Sequence, residues 1–102
     1  MKLIFTLFLG LFLMESSVFS EERTAQQIYK TTCSACHMSG ILNAPKAFDE
    51  ESWKARNKSV EDLIASAKKG LNAMPPMGLC MDCKDSELKE VIKYMMEKEK
   101  IE

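Results

Sequence analysis

Residues 33–37 read Cys-Ser-Ala-Cys-His, and His37 is the only histidine among 102 residues. No other stretch restricts the fold so tightly. Two thiols spaced C-x-x-C can add across the two vinyl groups of one porphyrin, and an imidazole at the next position is then carried beneath the iron. The thiols make such a cofactor permanent, and the ring nitrogen supplies a strong-field iron ligand. Cys33, Cys36 and His37 are therefore the expected attachment and ligand residues of one covalent haem c. A bare C-x-x-C would equally suit a redox dithiol or half of a zinc site. The histidine that follows separates these cases.

The chain opens with Met1 and Lys2, an apolar run from Leu3 to Met14, and then Ser16, Ser17 and Ser20. That order is the pattern of a secretory signal peptide, with the cut expected after Ser20. The run is about twelve residues, short of the roughly twenty a spanning helix needs; an uncleaved anchor is the alternative. The expected organisation is a cleaved leader over 1–20 and one domain over 21–102, exported to the periplasm with no stable membrane insertion afterwards. Removing 20 of the 102 residues leaves 82, a size at which a core usually needs a staple. A covalent porphyrin is such a staple. The mature part has few large aromatics to build a core without it: Tyr29, Phe48, Trp53 and Tyr94. With a net charge of −1 and no basic patch interleaved with aromatics, nucleic-acid binding is not supported.

The remaining pattern is helical. Thr24 and Gln27 form a capping-box pair, which starts a helix over Ala25 to Cys33 with Ile28, Tyr29 and Thr32 facing inward. Residues 39–46 read as loop. Ser52 to Arg56 suits a short helix carrying Trp53. A helix beginning at Ser59 presents Val60, Leu63, Ile64 and Ala67, and Gly70 stops it. Asp85 is the expected cap of a last helix whose Leu88, Val91, Ile92 and Met95 share one face. No segment alternates with period two, so the expected class is small and all-α, with helices wrapped around one flat cofactor.

A single histidine rules out bis-histidine ligation, and methionine is the natural second axial ligand, since its soft thioether favours ferrous iron. Met1 and Met14 leave with the leader, Met38 abuts His37, and Met95 and Met96 lie on the last helix. Met74, Met77 and Met81 remain. Met74 is favoured, because Pro75 and Pro76 stiffen the backbone just after it; Met77, Met81 and an open site stay as alternatives. Cys80 and Cys83 form a second C-x-x-C without a histidine. In an oxidising compartment the default is a disulfide, and a redox-active dithiol is the alternative. A zinc ribbon is disfavoured: 43 residues lie between Cys36 and Cys80, against roughly 15–20 in the usual pattern.

Residues 25–97 resemble class I c-type cytochromes and look most like the bacterial cytochrome c5 group. The most specific stretch is 69–83, Lys-Gly-Leu-Asn-Ala-Met-Pro-Pro-Met-Gly-Leu-Cys-Met-Asp-Cys, which is similar to that group's methionine loop and extra disulfide. The resemblance implies thioether bonds from Cys33 and Cys36, axial ligation by His37 and Met74, and a Cys80–Cys83 bridge. It further implies that the Pro45 carbonyl accepts a hydrogen bond from the His37 ring, and that Trp53 and Arg56 lie near a haem propionate. Plain core packing is the alternative for Trp53, and a surface position for Arg56. Tyr94 matches the family's packing of terminal helices, with Tyr29 as partner, although the usual small neighbour on the first helix is not evident. The implied function is a periplasmic single-electron carrier, not an enzyme, cycling Fe(III)/Fe(II) between redox partners such as reductases and oxidases. The alternatives are a haem protein with a labile methionine that binds a diatomic gas or peroxide, and a thiol oxidoreductase using Cys80 and Cys83.

Overall fold

Thr24 starts the first helix as a cap: its hydroxyl accepts from the Gln27 N–H at 3.1 Å while the Gln27 side chain accepts from the Thr24 N–H at 2.8 Å. The computed structural model describes residues 22–97, so the leader expected over 1–20 lies outside the described residues. α1 spans Ala25–Ile28. The chain stays helical beyond it through a π-helical turn, Tyr29–Cys33, into α2, Ser34–His37. The helix thus outruns the expected end at Cys33. Three nearby hydroxyls bond back along the widened turn: Thr31 donates to the Gln27 carbonyl at 2.9 Å, Thr32 to that of Ile28 at 3.0 Å, and Ser34 to that of Lys30 at 3.2 Å. Hydroxyls bonded back to the carbonyl four residues earlier compete with the ladder and bend helices.

A 3₁₀ turn, Ile41–Asn43, leads to α3, Glu50–Lys54, which begins two residues before the expected Ser52. Ser59 caps α4, Val60–Lys69, by accepting from the Asp62 N–H at 3.1 Å. A second 3₁₀ turn, Pro76–Leu79, precedes α5, Asp85–Met96. Asp85 is not the cap of α5. Lys84 holds that position, and its N–H is taken by the Glu87 carboxylate at 2.9 Å. A carboxylate three residues into the helix reaches back to this donor, so Asp85 falls inside the first turn, where its charge still suits the positive helix end. Among the described residues there is no strand, only an isolated bridge between Leu71 and Met74.

The core forms where α1 and α4 pack on α5. The stripe Leu88, Val91, Ile92 and Met95 is buried against Ile28, Leu63 and Ala67. Tyr29, Phe48 and Tyr94 join this core and meet edge to face at centroid distances of 5.1–5.8 Å. Ala25, on α1, packs against the same core.

One buried carboxylate pins the start of the domain to α5. Glu87 is 4 % exposed. It accepts from the Arg23 backbone N–H and Nε at 2.9 and 3.2 Å, from Arg23 Nη2 at 3.0 Å, and from the Lys84 N–H. Arg23 also reaches Asp82 at 3.2 Å. The Arg23 guanidinium, helped by the two backbone donors, pulls the Glu87 carboxyl from its ordinary 4.5 down to about 2. The unfolded chain therefore takes up this proton first. The stabilisation is complete above pH 4.5 and is lost as pH falls toward 2. Thermal melts should hold level above that window and drop through it. Glu87→Gln should melt lower at pH 7 and lose part of the acid-side slope. Parallel slopes for the two proteins would remove Glu87 from this role.

Candidate haem site

Cys33, Cys36 and His37 all face one cavity, because the π turn and α2 carry the pentad along its wall. The cavity has a volume of about 260 Å³, roughly twenty times what one buried water requires. Its wall is mostly apolar, formed by Ile28, Leu63, Ala67, Leu88, Val91 and Ile92. It is a site for a large apolar ligand rather than a hydration pocket. Both cysteines are free thiols, and burial pushes the Cys33 thiol up from its ordinary range.

His37 is 8 % exposed and held on three sides. Its Nδ1 stands 2.7 Å from the Pro45 carbonyl oxygen, its own carbonyl accepts from the Ala47 N–H at 2.7 Å, and its ring stacks on Trp53 at 5.6 Å with 16° between planes. A carbonyl can only accept, so Nδ1 carries the proton and Nε2 keeps its lone pair. Burial holds the imidazole pKa below its usual range, and the nearby Arg56 charge adds to this against the opposing Pro45 hydrogen bond. The ring is thus neutral, oriented and ready to bind a metal.

Met74 lines the same cavity. Its backbone is fixed twice over: its N–H donates to the Leu71 carbonyl at 2.9 Å, and its carbonyl accepts from the Leu71 N–H at 3.0 Å. Two glycines make room for this loop. A Cβ on Gly78 would stand 3.1 Å from Met74 Cε, and one on Gly70 would meet the Pro76 nitrogen at 3.0 Å and the Met74 carbonyl oxygen at 3.1 Å. Gly70 also has φ +92°, a conformation that side chains disfavour. Gly70→Ala should therefore lower stability by about 1–3 kcal/mol, read as a lower urea midpoint with unchanged slope. An unchanged midpoint would mean that the loop relaxes freely.

The structure gathers most of the candidate residues at this cavity. Cys33, Cys36, His37, Pro45, Trp53, Arg56 and Met74 all line it. Met77 does too, whereas Met81 is 68 % exposed and outside it. Trp53 is buried and donates from Nε1 to the Lys46 carbonyl at 2.9 Å, and Arg56 donates to the Asn43 carbonyl at 2.6 Å. These bonds join α3 to the loop that grips His37. Cys80 and Cys83 have their sulfurs at bonding distance, 2.02 Å, so neither is a free thiol, although Cys80 also lines the cavity. Gly78 and the Arg23–Glu87 pair had no sequence signal, because each matters only through contacts made in the folded chain.

The donor set fits a covalently held porphyrin: two free thiols, an oriented neutral imidazole and a thioether around one apolar cavity. Comparison with known proteins agrees. Residues 20–95 match a family model described as cytochrome C oxidase, cbb3-type, subunit III. Cytochrome c5 of Ectopseudomonas mendocina is 45 % identical over 76 residues, covering 72 % of this chain and 87 % of the relative. A mono-haem ferrocytochrome c from Shewanella putrefaciens superposes with a TM-score of 0.67 at 38 % identity, covering 78 % of this chain and all of that one. The structure of an electron transfer complex of nitrite reductase with cytochrome c matches with a TM-score of 0.65 at 33 % identity, over 74 % of this chain and 95 % of that one. The chain belongs to the class I c-type cytochromes, with a likeness to cytochrome c5, and it binds one haem c covalently.

Proposed function

We propose that the protein is a periplasmic single-electron carrier, exported by a cleaved leader over 1–20. Cys33 and Cys36 form the thioether bonds, and His37 and Met74 are the axial ligands. The observation that carries this proposal is the convergence of both free thiols, the only imidazole of the chain and Met74 on one apolar cavity. The bound haem supplies a one-electron Fe(III)/Fe(II) couple. The chain's own residues keep the ligand set constant through the cycle. The Pro45 carbonyl fixes the His37 tautomer, Trp53 holds the ring plane, and the paired backbone of Leu71 and Met74 holds the thioether. A Cys80–Cys83 disulfide anchors the end of the methionine loop to the start of α5. Relatives of this chain are cytochromes c, and one structural neighbour was solved with a nitrite reductase. By the same chemistry this carrier passes electrons between respiratory redox enzymes through a small, weak contact.

The test is spectroscopic. The reduced protein should show a sharp ferrous α-band, the ferric protein a weak red methionine–iron charge-transfer band, and the reduced protein no rapid CO binding at neutral pH. Rapid CO binding would place it instead among gas- or peroxide-binding haem proteins.

A further inference from the structure

Met77, Gly78 and Leu79 adopt left-handed backbone in succession, with φ of +61°, +57° and +72°. Two of the three carry side chains, and holding such residues in that region costs free energy. The bonds around them hold the turn. The Gly78 N–H donates to the Pro75 carbonyl and the Cys80 N–H to the Met77 carbonyl, both at 2.9 Å. Pro75 and Pro76 stiffen the approach, and Cys80 closes the exit as a buried member of the core.

The centre of this turn sets a residue without a Cβ against the end of the Met74 side chain. A Cβ at position 78 would stand 3.1 Å from Met74 Cε. Carbon–carbon contacts are optimal at about 3.5–4.0 Å, so the methyl group would have to give by a few tenths of an ångström. Gly70 differs, because a Cβ there would meet the Pro76 nitrogen and the Met74 carbonyl oxygen. Gly70 makes room for the loop backbone; Gly78 makes room for the thioether itself.

Resting on the Met74 ligation proposed above, we infer that Gly78 is a positioning residue for the axial thioether. Its bare Cα seats the Met74 methyl group and so sets how the sulfur is turned toward the cavity. The methyl group and the sulfur lone pairs belong to one atom, so displacing the first rotates the second. Contacts that orient a ligand in this way are a means by which a chain tunes its metal.

NMR of the holoprotein tests this. In the ferrous state the Met74 ε-methyl should show a nuclear Overhauser contact with the Gly78 α-protons. Absence of that contact would overturn the inference without any variant. In the ferric state the unpaired spin spreads over the porphyrin according to the orientation of its axial ligands, so the order of the ring-methyl resonances reports the thioether. Gly78→Ala should retain its haem, change that order and shift the red charge-transfer band. Gly40→Ala is the control for backbone strain alone: Gly40 has φ +78°, and a Cβ there meets nothing closer than the Ala44 carbonyl oxygen at 3.4 Å. Both variants force a side chain into left-handed backbone and should melt roughly 4–8 °C below wild type. Gly40→Ala should nevertheless keep the wild-type order and band.

A wild-type pattern in Gly78→Ala, or the same change in both variants, would overturn the positioning role and leave Met74 as the ligand. If Gly78→Ala gives no folded holoprotein, the Overhauser contact in the wild type decides alone. A wild-type protein with no red band at all would instead overturn Met74 as the ligand, a failure visible before any variant is made.

Discussion

Exported protein with Cys33 and Cys36 both changed to serine is expected to be colourless and without a fixed tertiary structure. The reason is the size of what the haem fills. An unfilled cavity costs about 24 cal/mol per Å³, so about 260 Å³ costs up to about 6 kcal/mol. An 82-residue domain has only about 4–12 kcal/mol of stability in total. The residues facing the cavity are also those that close the core, since Ile28, Leu63, Ala67, Leu88, Val91 and Ile92 belong to both. Without a covalent cofactor they lose packing partners on the cavity side. Near-UV circular dichroism should be flat, proteolysis fast, and no haem retained after denaturation. A double-serine variant that melts cooperatively near the wild-type temperature would show that the chain closes its core unaided.

Met74→Ala is expected to abolish the red charge-transfer band and to lower the midpoint potential. On the proposed ligation, removing the thioether withdraws the ligand that favours the ferrous state. Axial ligands span about 0.8 V across haem proteins, and a fall on the order of 0.1–0.2 V is a modest share of that range. The vacated position should admit CO in the reduced variant. Met77 lines the same cavity and is the control. Its backbone is left-handed at φ +61°, in the turn beyond Pro75 and Pro76. Met77→Leu should keep both the band and the potential. Loss of the band in Met77→Leu, with retention in Met74→Ala, would exchange the two roles.

What was legible in the sequence was local. The Thr24–Gln27 capping box, the helix start at Ser59, the stop at Gly70 and the apolar stripe of α5 each depend on residues within one or two turns of one another. The pentad and the methionine loop are local in the same sense, and the structure brings them to one cavity. What was not legible depends on long-range contact. Arg23 reaches Glu87 across 64 positions, and no periodicity marks a carboxylate to be buried by a distant guanidinium. Asp85 is a good cap by composition, yet the Glu87 carboxylate that takes the Lys84 N–H shifts the helix start. The π turn carries three hydroxyl-to-carbonyl bonds, and Thr or Ser at any one of these positions is no sequence mark of it. Phe48 adopts φ +66° while its N–H donates to the Met95 carbonyl at 2.7 Å, so α5 imposes a conformation that no neighbour in sequence requires. Gly78 is needed because of the Met74 methyl group, a constraint that exists only once the loop has closed.

The most direct measurement is the intact mass of protein exported from cells with working haem-attachment machinery, taken under denaturing conditions. The expected mass is that of a chain beginning at Glu21 plus one haem, with the haem remaining through denaturation. A chain exported at its bare polypeptide mass, or one that sheds its haem on unfolding, would contradict covalent attachment at Cys33 and Cys36.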